Sequence, residues 1–408
     1  MPHFFLCYFE STRECHQNCP YCMTRLKEQP HRIELGTEEV KIRVLDEVKK
    51  ICPTGAVAFS GGEFLLRKDA LELLEYNAKI GLYSFINTCG TLLTPELLKD
   101  INKAAGGRIT FGLSLDSIEP QTQDECRDGD NALLKSVMKM CDSEGIGYFV
   151  LVTISKKNLG TLKKTVEFLE ENRIPMVRSP FVLRGAASEA KNLQFSKSDM
   201  ESSIHQVLRE NPLCYVSHTP FFASPEALKI GTEKLGVSLN NLGCQAGRTF
   251  IGISAEGDVA PCVHLLDTTV NCGNVRHQRL SELYWSNSVL VTLRGDNPVK
   301  GKCSKCRYGN SCRGCRALAY YATGDYLSED PTCFFNPLDR NTRSEFEEIQ
   351  TQGTYQFIEF ITSNDPWKRI FGPSGFSGRV AMLILNSVMR LRRAWHKKMN
   401  FIGQRSDR

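Results

Sequence analysis

The first 185 residues alternate short apolar runs with amphipathic stretches, and this alternation limits the folds open to the chain more than any other feature. The apolar runs predict strands over residues 4–9, 56–59, 83–87, 109–115, 148–153 and 176–181. The stretches between them predict helices over residues 38–50, 68–80, 95–104, 131–143 and 159–171. Gly81 and Gly145 stand where a helix should end before the next strand. The alternation predicts an α/β fold with a parallel sheet.

Three cysteines follow the first predicted strand. Cys15, Cys19 and Cys22 have the spacing C-x3-C-x2-C, with Tyr21 before the third. Because a [4Fe–4S] cluster normally takes four cysteines, a compact group of three predicts a cluster with one iron open to a small molecule. A redox disulfide or a zinc knuckle is the alternative, although zinc usually takes four ligands arranged in pairs.

A second group of cysteines lies between residues 244 and 333. Its eight members are Cys244, Cys262, Cys272, Cys303, Cys306, Cys312, Cys315 and Cys333. They include two C-x2-C pairs, which predict bound metal in the form of zinc ribbons or iron–sulfur clusters. The chain opens with no signal peptide, so the 17 cysteines indicate a reducing cytoplasm. Five of the remaining six are interpreted as packing residues: Cys7, Cys52, Cys126, Cys141 and Cys214. For Cys89 a small buried hydrophobic role is favoured, with a thiol near a functional site as the alternative.

The order of these motifs resembles the radical S-adenosylmethionine (SAM) superfamily with a C-terminal SPASM extension. Residues 60–63 read Ser-Gly-Gly-Glu after the second strand, and residues 114–116 read Ser-Leu-Asp after the fourth. In the second cysteine group, residues 314–317 read Gly-Cys-Arg-Ala. The sequence departs from the family at Phe64, where proline is usual, and at Cys89, where asparagine is usual.

The resemblance implies a partial (β/α)6 barrel followed by a small cysteine-rich SPASM domain. It implies that Cys15, Cys19 and Cys22 hold a [4Fe–4S] cluster whose open iron binds S-adenosylmethionine (AdoMet). Reduction would then yield a 5′-deoxyadenosyl radical that abstracts a hydrogen atom from the substrate. The implied AdoMet-binding residues, at the carboxyl ends of the strands, are Gly61, Gly62, Glu63, Ser114, Asp116, Arg127 and Thr153. Arg184 is a further candidate for lining this site.

Two auxiliary iron–sulfur clusters follow from the same resemblance. Cys303, Cys306, Cys312 and Cys333 would hold one [4Fe–4S] cluster. Cys244, Cys262 and Cys315 would hold the other, with Cys272 as the expected fourth ligand. This other cluster is expected to be [4Fe–4S] or [2Fe–2S], or to carry an open iron.

Four regions are predicted along the chain: a barrel over residues 1–185, a helical bridge over 186–243, a SPASM domain over 244–345 and a C-terminal extension over 346–408. The extension contains a predicted basic amphipathic helix at 376–399. Without residues 367–408 the chain has 41 basic and 45 acidic residues, so no nucleic-acid surface is indicated. The basic helix could pack on the barrel, dock on an acidic protein or lie on a membrane surface, leaving the protein peripheral at the inner membrane.

The expected function is therefore a cytoplasmic radical SAM enzyme, with a ribosomally made peptide as the leading substrate. Haem, haem d1 and quinone-cofactor biosynthesis are the alternative settings. The first strand begins almost at once, so a peptide substrate would need a separate recognition protein or direct binding. A flavodoxin- or ferredoxin-type electron donor is expected. A non-catalytic iron–sulfur electron carrier and a zinc-bound scaffold remain as hypotheses of other classes.

Overall fold

The protein is built on one curled, nine-stranded sheet with helices packed against it. The computed structural model describes residues 5–27, 33–127, 131–210, 214–215, 243–296, 298–306, 308–310 and 312–335. The sheet has the strand order β7-β6-β5-β4-β3-β2-β1-β8-β9, and only the β8–β9 pair is antiparallel. The sequence-based expectation of an α/β partial barrel with a parallel sheet is confirmed.

The strand bounds are β1 Leu6–Thr12, β2 Ala56–Gly61, β3 Tyr83–Thr88, β4 Ile109–Ser114, β5 Gly147–Ile154, β6 Met176–Pro180, β7 Cys214–Tyr215, β8 Phe250–Ile253 and β9 Val259–Ala260. The six predicted strands correspond to β1–β6. They are mostly buried along their length, as parallel strands covered on both faces are. The strand β8 pairs in parallel with β1, so the cysteine-rich segment continues the sheet of the barrel.

The first helix, α1, covers residues 37–51 and consists of Thr37–Glu39, a π-helical Val40–Leu45 and Asp46–Ile51. The others are α2 Ala70–Lys79, α3 Pro95–Ala104, α4 Pro120–Cys126, α5 Asn131–Glu144, α6 Leu162–Glu171, α7 Lys197–Glu210, α8 Leu280–Ser286, α9 Ser288–Arg294, α10 Lys302–Lys305 and α11 Arg316–Thr323. Short 3-10 turns lie at Phe64–Leu66, Leu159–Thr161, Gly185–Glu189, Lys191–Leu193 and Val263–Leu265.

Local sequence explains where several of these helices begin and end. The Thr94 side chain accepts a hydrogen bond from the Leu97 backbone N–H, and Pro95 occupies the first turn of α3. Gly81 and Gly145 have φ of +82° and +64°, a conformation that favours glycine. Both glycines therefore end a helix before a strand, as the sequence predicts. The helix α4 was not predicted, although Pro120 is a start signal for it.

The predicted domain boundaries remain predictions. The described part of the predicted bridge contains α7, two 3-10 turns and the short strand β7, which pairs with β6. The basic helix predicted at 376–399 lies outside the described residues. Within the described residues, no helix is both long enough and apolar enough to cross a lipid bilayer.

Candidate active site

A cavity of about 210 Å³ lies at the carboxyl ends of the barrel strands. Its wall includes the three cysteines of the first motif and most of the predicted AdoMet-binding residues: Cys15, Cys19, Cys22, Gly61, Gly62, Glu63, Ser114, Arg127 and Thr153. Its wall also includes Cys262 and His264 from the second cysteine group. The cavity therefore connects two regions that are about 240 residues apart in sequence.

The loop that carries the three cysteines is held by close backbone contacts. A Cβ atom on Gly62 would lie 1.9 Å from the Glu14 carbonyl oxygen, so only glycine allows this approach. The backbone N–H of Glu63 donates to that same carbonyl at 2.8 Å. On the other side, the Ala186 N–H donates to the Cys22 carbonyl at 3.0 Å. The Gly-Gly pair thus allows close backbone packing against the cysteine loop while both glycines also line the cavity, and their contact with AdoMet stays a prediction.

Glu63 places a buried carboxylate in the cavity wall, with 1% of the residue exposed. Its Oε2 accepts hydrogen bonds from the Thr88 hydroxyl at 2.8 Å and from the Cys89 backbone N–H at 3.2 Å. Within the described residues no lysine or arginine forms an ion pair with it. A buried anion is costly without a positive partner, so this carboxylate fits the amino group of AdoMet as the resemblance implies.

Asp116 supports the neighbouring part of the cavity wall without lining the cavity itself. It is fully buried behind the residues that form the wall. Its carboxylate accepts from Arg127 Nε at 2.7 Å and from the Thr153 backbone N–H at 2.6 Å. The Tyr21 hydroxyl, in the cysteine loop, donates to Asp116 Oδ2 at 3.2 Å. Asp116 therefore connects the cysteine loop to Arg127, whose guanidinium reaches the cavity wall. Ser114 and Thr153 line the cavity directly.

Three cysteines of the second group lie close together beside the cavity. Burial and then Asp330 raise the pKa of the Cys315 thiol, and the nearby Cys244 and Cys262 add to that rise. A Cβ on Gly252 of β8 would lie 2.7 Å from the Val263 backbone N and Cα. The absence of a side chain at this position lets the turn that contains Cys262 cross directly over the strand.

The remaining cysteines of this group divide into two environments. Four of them, Cys303, Cys306, Cys312 and Cys333, line one small cavity together. Cys272 instead packs in the main hydrophobic core, and burial alone raises the pKa of its thiol to about 12. It lines neither cavity. Its role as the fourth ligand of the cluster with Cys244, Cys262 and Cys315 stays a prediction.

The cysteine groups suit multinuclear clusters in their chemistry. Within the described part of the chain, no three His, Cys, Asp or Glu side chains form a group that could hold one metal ion. Each iron of a four-iron cluster takes one thiolate, so its ligands surround the cluster rather than converge on a single atom. The donor set is entirely thiol, which fits iron–sulfur clusters at all three positions.

Two expectations need correction, and one residue was missed. Cys89, for which a buried hydrophobic role was favoured, lines the cavity with its Sγ 3.3 Å from Glu63 Oε2. Arg184, expected to line the site, is absent from the cavity wall and forms buried ion pairs with Glu10 and Asp267. His264 lines the cavity but was missed, because a lone histidine two residues after a cysteine is a weak signal. Burial, then the nearby Arg184, lowers the pKa of His264 to about 4, so its imidazole is neutral.

Comparison with family models identifies the chain. The Radical SAM superfamily model matches residues 9–169, and a SPASM iron–sulfur cluster-binding domain matches residues 244–316. The chain belongs to the radical SAM superfamily. It is a radical SAM enzyme with a SPASM domain, and both matched segments contribute residues to the cavity wall.

Curated relatives cover most of the chain. An AdoMet-dependent heme synthase of Methanosarcina barkeri is 30% identical over 342 residues, covering 81% of this chain and 96% of the relative. An Fe-coproporphyrin III synthase of the same organism is 27% identical and covers 79% of this chain and 86% of the relative. A PqqA peptide cyclase of Rhodopseudomonas palustris is 26% identical and covers 86% of this chain and 92% of the relative.

Solved structures share the fold of this radical SAM enzyme at low sequence identity. Histidine-tagged anSMEcpe with bound AdoMet matches with a TM-score of 0.66 and 17% identity, covering 91% of this chain and 99% of that chain. Streptococcus suis SuiB bound to precursor peptide SuiA matches with a TM-score of 0.61 and 18% identity, covering 81% of this chain and 76% of that chain.

Proposed function

We propose that this enzyme oxidises a side chain of a haem precursor by AdoMet-derived radical chemistry, using one AdoMet-binding cluster and two auxiliary clusters. The observation that carries the proposal is the single cavity that joins the Cys15–Cys22 loop to Cys262. A substrate between them lies near both the source of the radical and a site for the electron that remains after hydrogen abstraction.

The chain's own residues have separable tasks in this proposal. Cys15, Cys19 and Cys22 hold a [4Fe–4S] cluster that, with AdoMet bound and one electron supplied, provides a 5′-deoxyadenosyl radical for hydrogen abstraction. Glu63 accepts from the amino group of AdoMet, since its carboxylate is buried and pairs with no lysine or arginine of the described residues. Arg127 offers its charge to the carboxylate of AdoMet while Asp116 fixes its orientation.

The auxiliary clusters take the other cysteines. Cys244, Cys262 and Cys315 would hold the cluster next to the cavity, and Cys303, Cys306, Cys312 and Cys333 would hold the second. A cluster held by Cys244, Cys262 and Cys315 would supply an electron acceptor next to the cavity. The substrate would give up one hydrogen atom to the radical and one electron to this acceptor, with charge balanced by release of a proton or of carbon dioxide, a two-electron oxidation overall. An external flavodoxin- or ferredoxin-type protein would supply the electron that starts each turnover.

The assignment of a haem precursor rests on the relatives and on the cavity wall. The heme synthase match spans almost the whole relative, whereas the peptide-bound neighbours share only the fold. The wall between the two cysteine sites includes Tyr8, Phe181, Val182 and Phe250. Aromatic and aliphatic side chains of this kind suit the flat apolar face of a tetrapyrrole.

A ribosomally made peptide is the second candidate, favoured by the PqqA peptide cyclase relatives at 26% to 27% identity. That function would call for direct peptide binding or a separate recognition protein. The two candidates predict different products, because a peptide would gain a cross-link and a porphyrin would change at its side chains.

The deciding experiment is anaerobic reconstitution followed by dithionite and AdoMet. We expect 5′-deoxyadenosine from the wild type and none from Cys15→Ala, Cys19→Ala or Cys22→Ala. A brown protein that never cleaves AdoMet would support an electron carrier, and stoichiometric zinc without iron would support a scaffold. Mass spectrometry after addition of Fe-coproporphyrin III tests the substrate class, with a PqqA-type peptide as the parallel probe. An unchanged porphyrin beside a cross-linked peptide would reverse the order of the two candidates.

A further inference from the structure

His264 lies between the predicted auxiliary cluster and the substrate cavity. It follows Cys262 by two residues, in the 3-10 turn Val263–Leu265 that crosses over Gly252. Its imidazole is buried, with 5% of the residue exposed, and it lines the cavity. The Nδ1 atom is 3.5 Å from Cys262 Sγ, and the Nε2 atom is 3.3 Å from Ser179 Oγ on β6.

The chemistry of the two contacts determines which nitrogen carries the proton. A neutral imidazole has one N–H donor and one acceptor. A Cys262 thiolate bound to iron can only accept, so the Nδ1 atom that faces it must be the donor. The Nε2 atom contacts the Ser179 hydroxyl, which can donate or accept a hydrogen bond. This arrangement holds the imidazole plane between β6 and the cluster ligand.

We propose that His264 donates its Nδ1 proton to Cys262 and thereby raises the reduction potential of the auxiliary cluster beside the cavity. The inference rests on the proposed function, because it needs Cys262 to be a cluster ligand. Hydrogen bonds to cluster sulfurs are one of the determinants of reduction potential, since they disperse the negative charge of the reduced form. His264 is thus a positioning residue that makes this cluster a better electron acceptor.

Other donors to the Cys262 sulfur remain when the side chain is changed. The backbone N–H groups of Val263 and His264 also act on this thiol. Side-chain variants therefore leave a cluster ligand that is still partly hydrogen-bonded. The expected effect is a shift in potential with the cluster retained, rather than loss of the cluster.

The two nitrogen contacts can be separated by a matched pair of variants. In His264→Asn the amide nitrogen falls near the position of Nδ1, so it retains the donor to Cys262 and loses the contact with Ser179. In His264→Gln the amide lies nearer to the position of Nε2, so the donor to Cys262 is lost. His264→Leu removes both contacts, and exposed His277→Gln is the control.

The measurement is a dithionite titration followed by electron paramagnetic resonance on the full-length, reconstituted protein. A Cys15→Ala/Cys19→Ala/Cys22→Ala background leaves only the auxiliary clusters, and Cys262→Ala in that background identifies the signal concerned. We expect His264→Gln and His264→Leu to shift that signal to lower potential. His264→Asn and His277→Gln should stay near the parent value. The second auxiliary cluster should not shift in any variant, which also shows that each variant folds.

Three results would overturn the inference, and they are distinguishable. If Cys262→Ala leaves every signal in place, Cys262 is no ligand and the auxiliary-cluster assignment fails together with the inference. If Cys262→Ala removes one signal but all His264 variants keep the parent potential, the inference alone fails. Loss of the cluster in every His264 variant would make His264 an iron ligand and would also overturn the hydrogen-bond role.

Discussion

Arg184 holds both carboxylate oxygens of Glu10, with Nη1–Oε1 and Nη2–Oε2 distances of 2.5 and 2.7 Å. Glu10 lies on β1 and Arg184 follows β6, so the pair joins strands at opposite sides of the cavity mouth. Arg184 also pairs with Asp267, which accepts from Arg13 at 2.9 Å. This buried network connects the strand before the cysteine loop to the segment after Cys262.

Removing the charge of Glu10 should destabilise the protein strongly. Breaking one partner of a buried ion pair typically costs about 3–5 kcal/mol, because the other charge stays buried. We expect Glu10→Gln to lower the urea midpoint of anaerobic unfolding. Lys27→Met is the control, since its pair with Glu189 is exposed on both sides and should leave the midpoint unchanged. Equal midpoints for Glu10→Gln and wild type would show that the network contributes no stability.

Glu63→Gln tests the binding of the amino group of AdoMet. The amide keeps an oxygen that can accept from Thr88 but loses the negative charge. Hydrogen bonds to charged groups contribute about 1.5–3 kcal/mol. We therefore expect the dissociation constant of AdoMet to be roughly 10- to 150-fold larger in Glu63→Gln than in the wild type. Anaerobic calorimetry with AdoMet measures this directly. Surface Glu125→Gln should bind AdoMet as the wild type does, and unchanged affinity in Glu63→Gln would contradict the assignment.

The sequence predicts the six-stranded core of the barrel because apolar periodicity is a local property. The strands β7, β8 and β9 were missed, since each has few residues and is defined by pairing with another strand. The candidate active site is limited in the same way, because contacts between residues that are distant in sequence leave no local pattern. Spacing identifies Cys15 and Glu63 as candidates, but only the fold shows that Arg184 turns to Glu10 and that Cys89 faces the cavity.

Cys89 is expected to support Glu63 through its thiol. The Sγ atom is 3.3 Å from Glu63 Oε2 and 3.1 Å from the Thr91 hydroxyl oxygen. Burial, followed by the charge of Glu63, raises the pKa of Cys89 to about 12, so the thiol stays protonated at neutral pH. We expect Cys89→Ser to bind AdoMet normally and Cys89→Val to bind it about tenfold more weakly, since a thiol is a weak donor and a hydrogen bond to a charged group contributes about 1.5 kcal/mol at the low end of its range. Equal affinity in both variants would make Cys89 a packing residue.

Iron analysis of two cysteine variants tests the fourth-ligand prediction for Cys272. Cys262→Ala should lose the iron of one cluster, since Cys262 lies beside Cys244 and Cys315. Cys272 packs in the main core, and wild-type iron and sulfide content in Cys272→Ala would rule it out as the predicted fourth ligand. If Cys272→Ala loses as much iron as Cys262→Ala, the thiol is a ligand and the core rearranges around the cluster.

Gly252→Ala is expected to damage the auxiliary cluster beside the cavity selectively. The new Cβ would lie 2.7 Å from the backbone N and Cα of Val263, which is closer than atoms can approach. The turn that carries Cys262 must then move away from β8, and this movement displaces the Cys262 thiol. The Cys15–Cys22 loop makes no such contact and should keep its cluster.

Gly160→Ala is the matched control, because a Cβ at Gly160 would meet nothing within 4 Å. After reconstitution, we expect Gly252→Ala to lack iron equal to one cluster and to cleave AdoMet without oxidising the substrate. The control should match the wild type in both respects. Wild-type iron content and substrate oxidation in Gly252→Ala would show that Cys262 is positioned by the rest of its segment, and that the packing over β8 is incidental to the cluster.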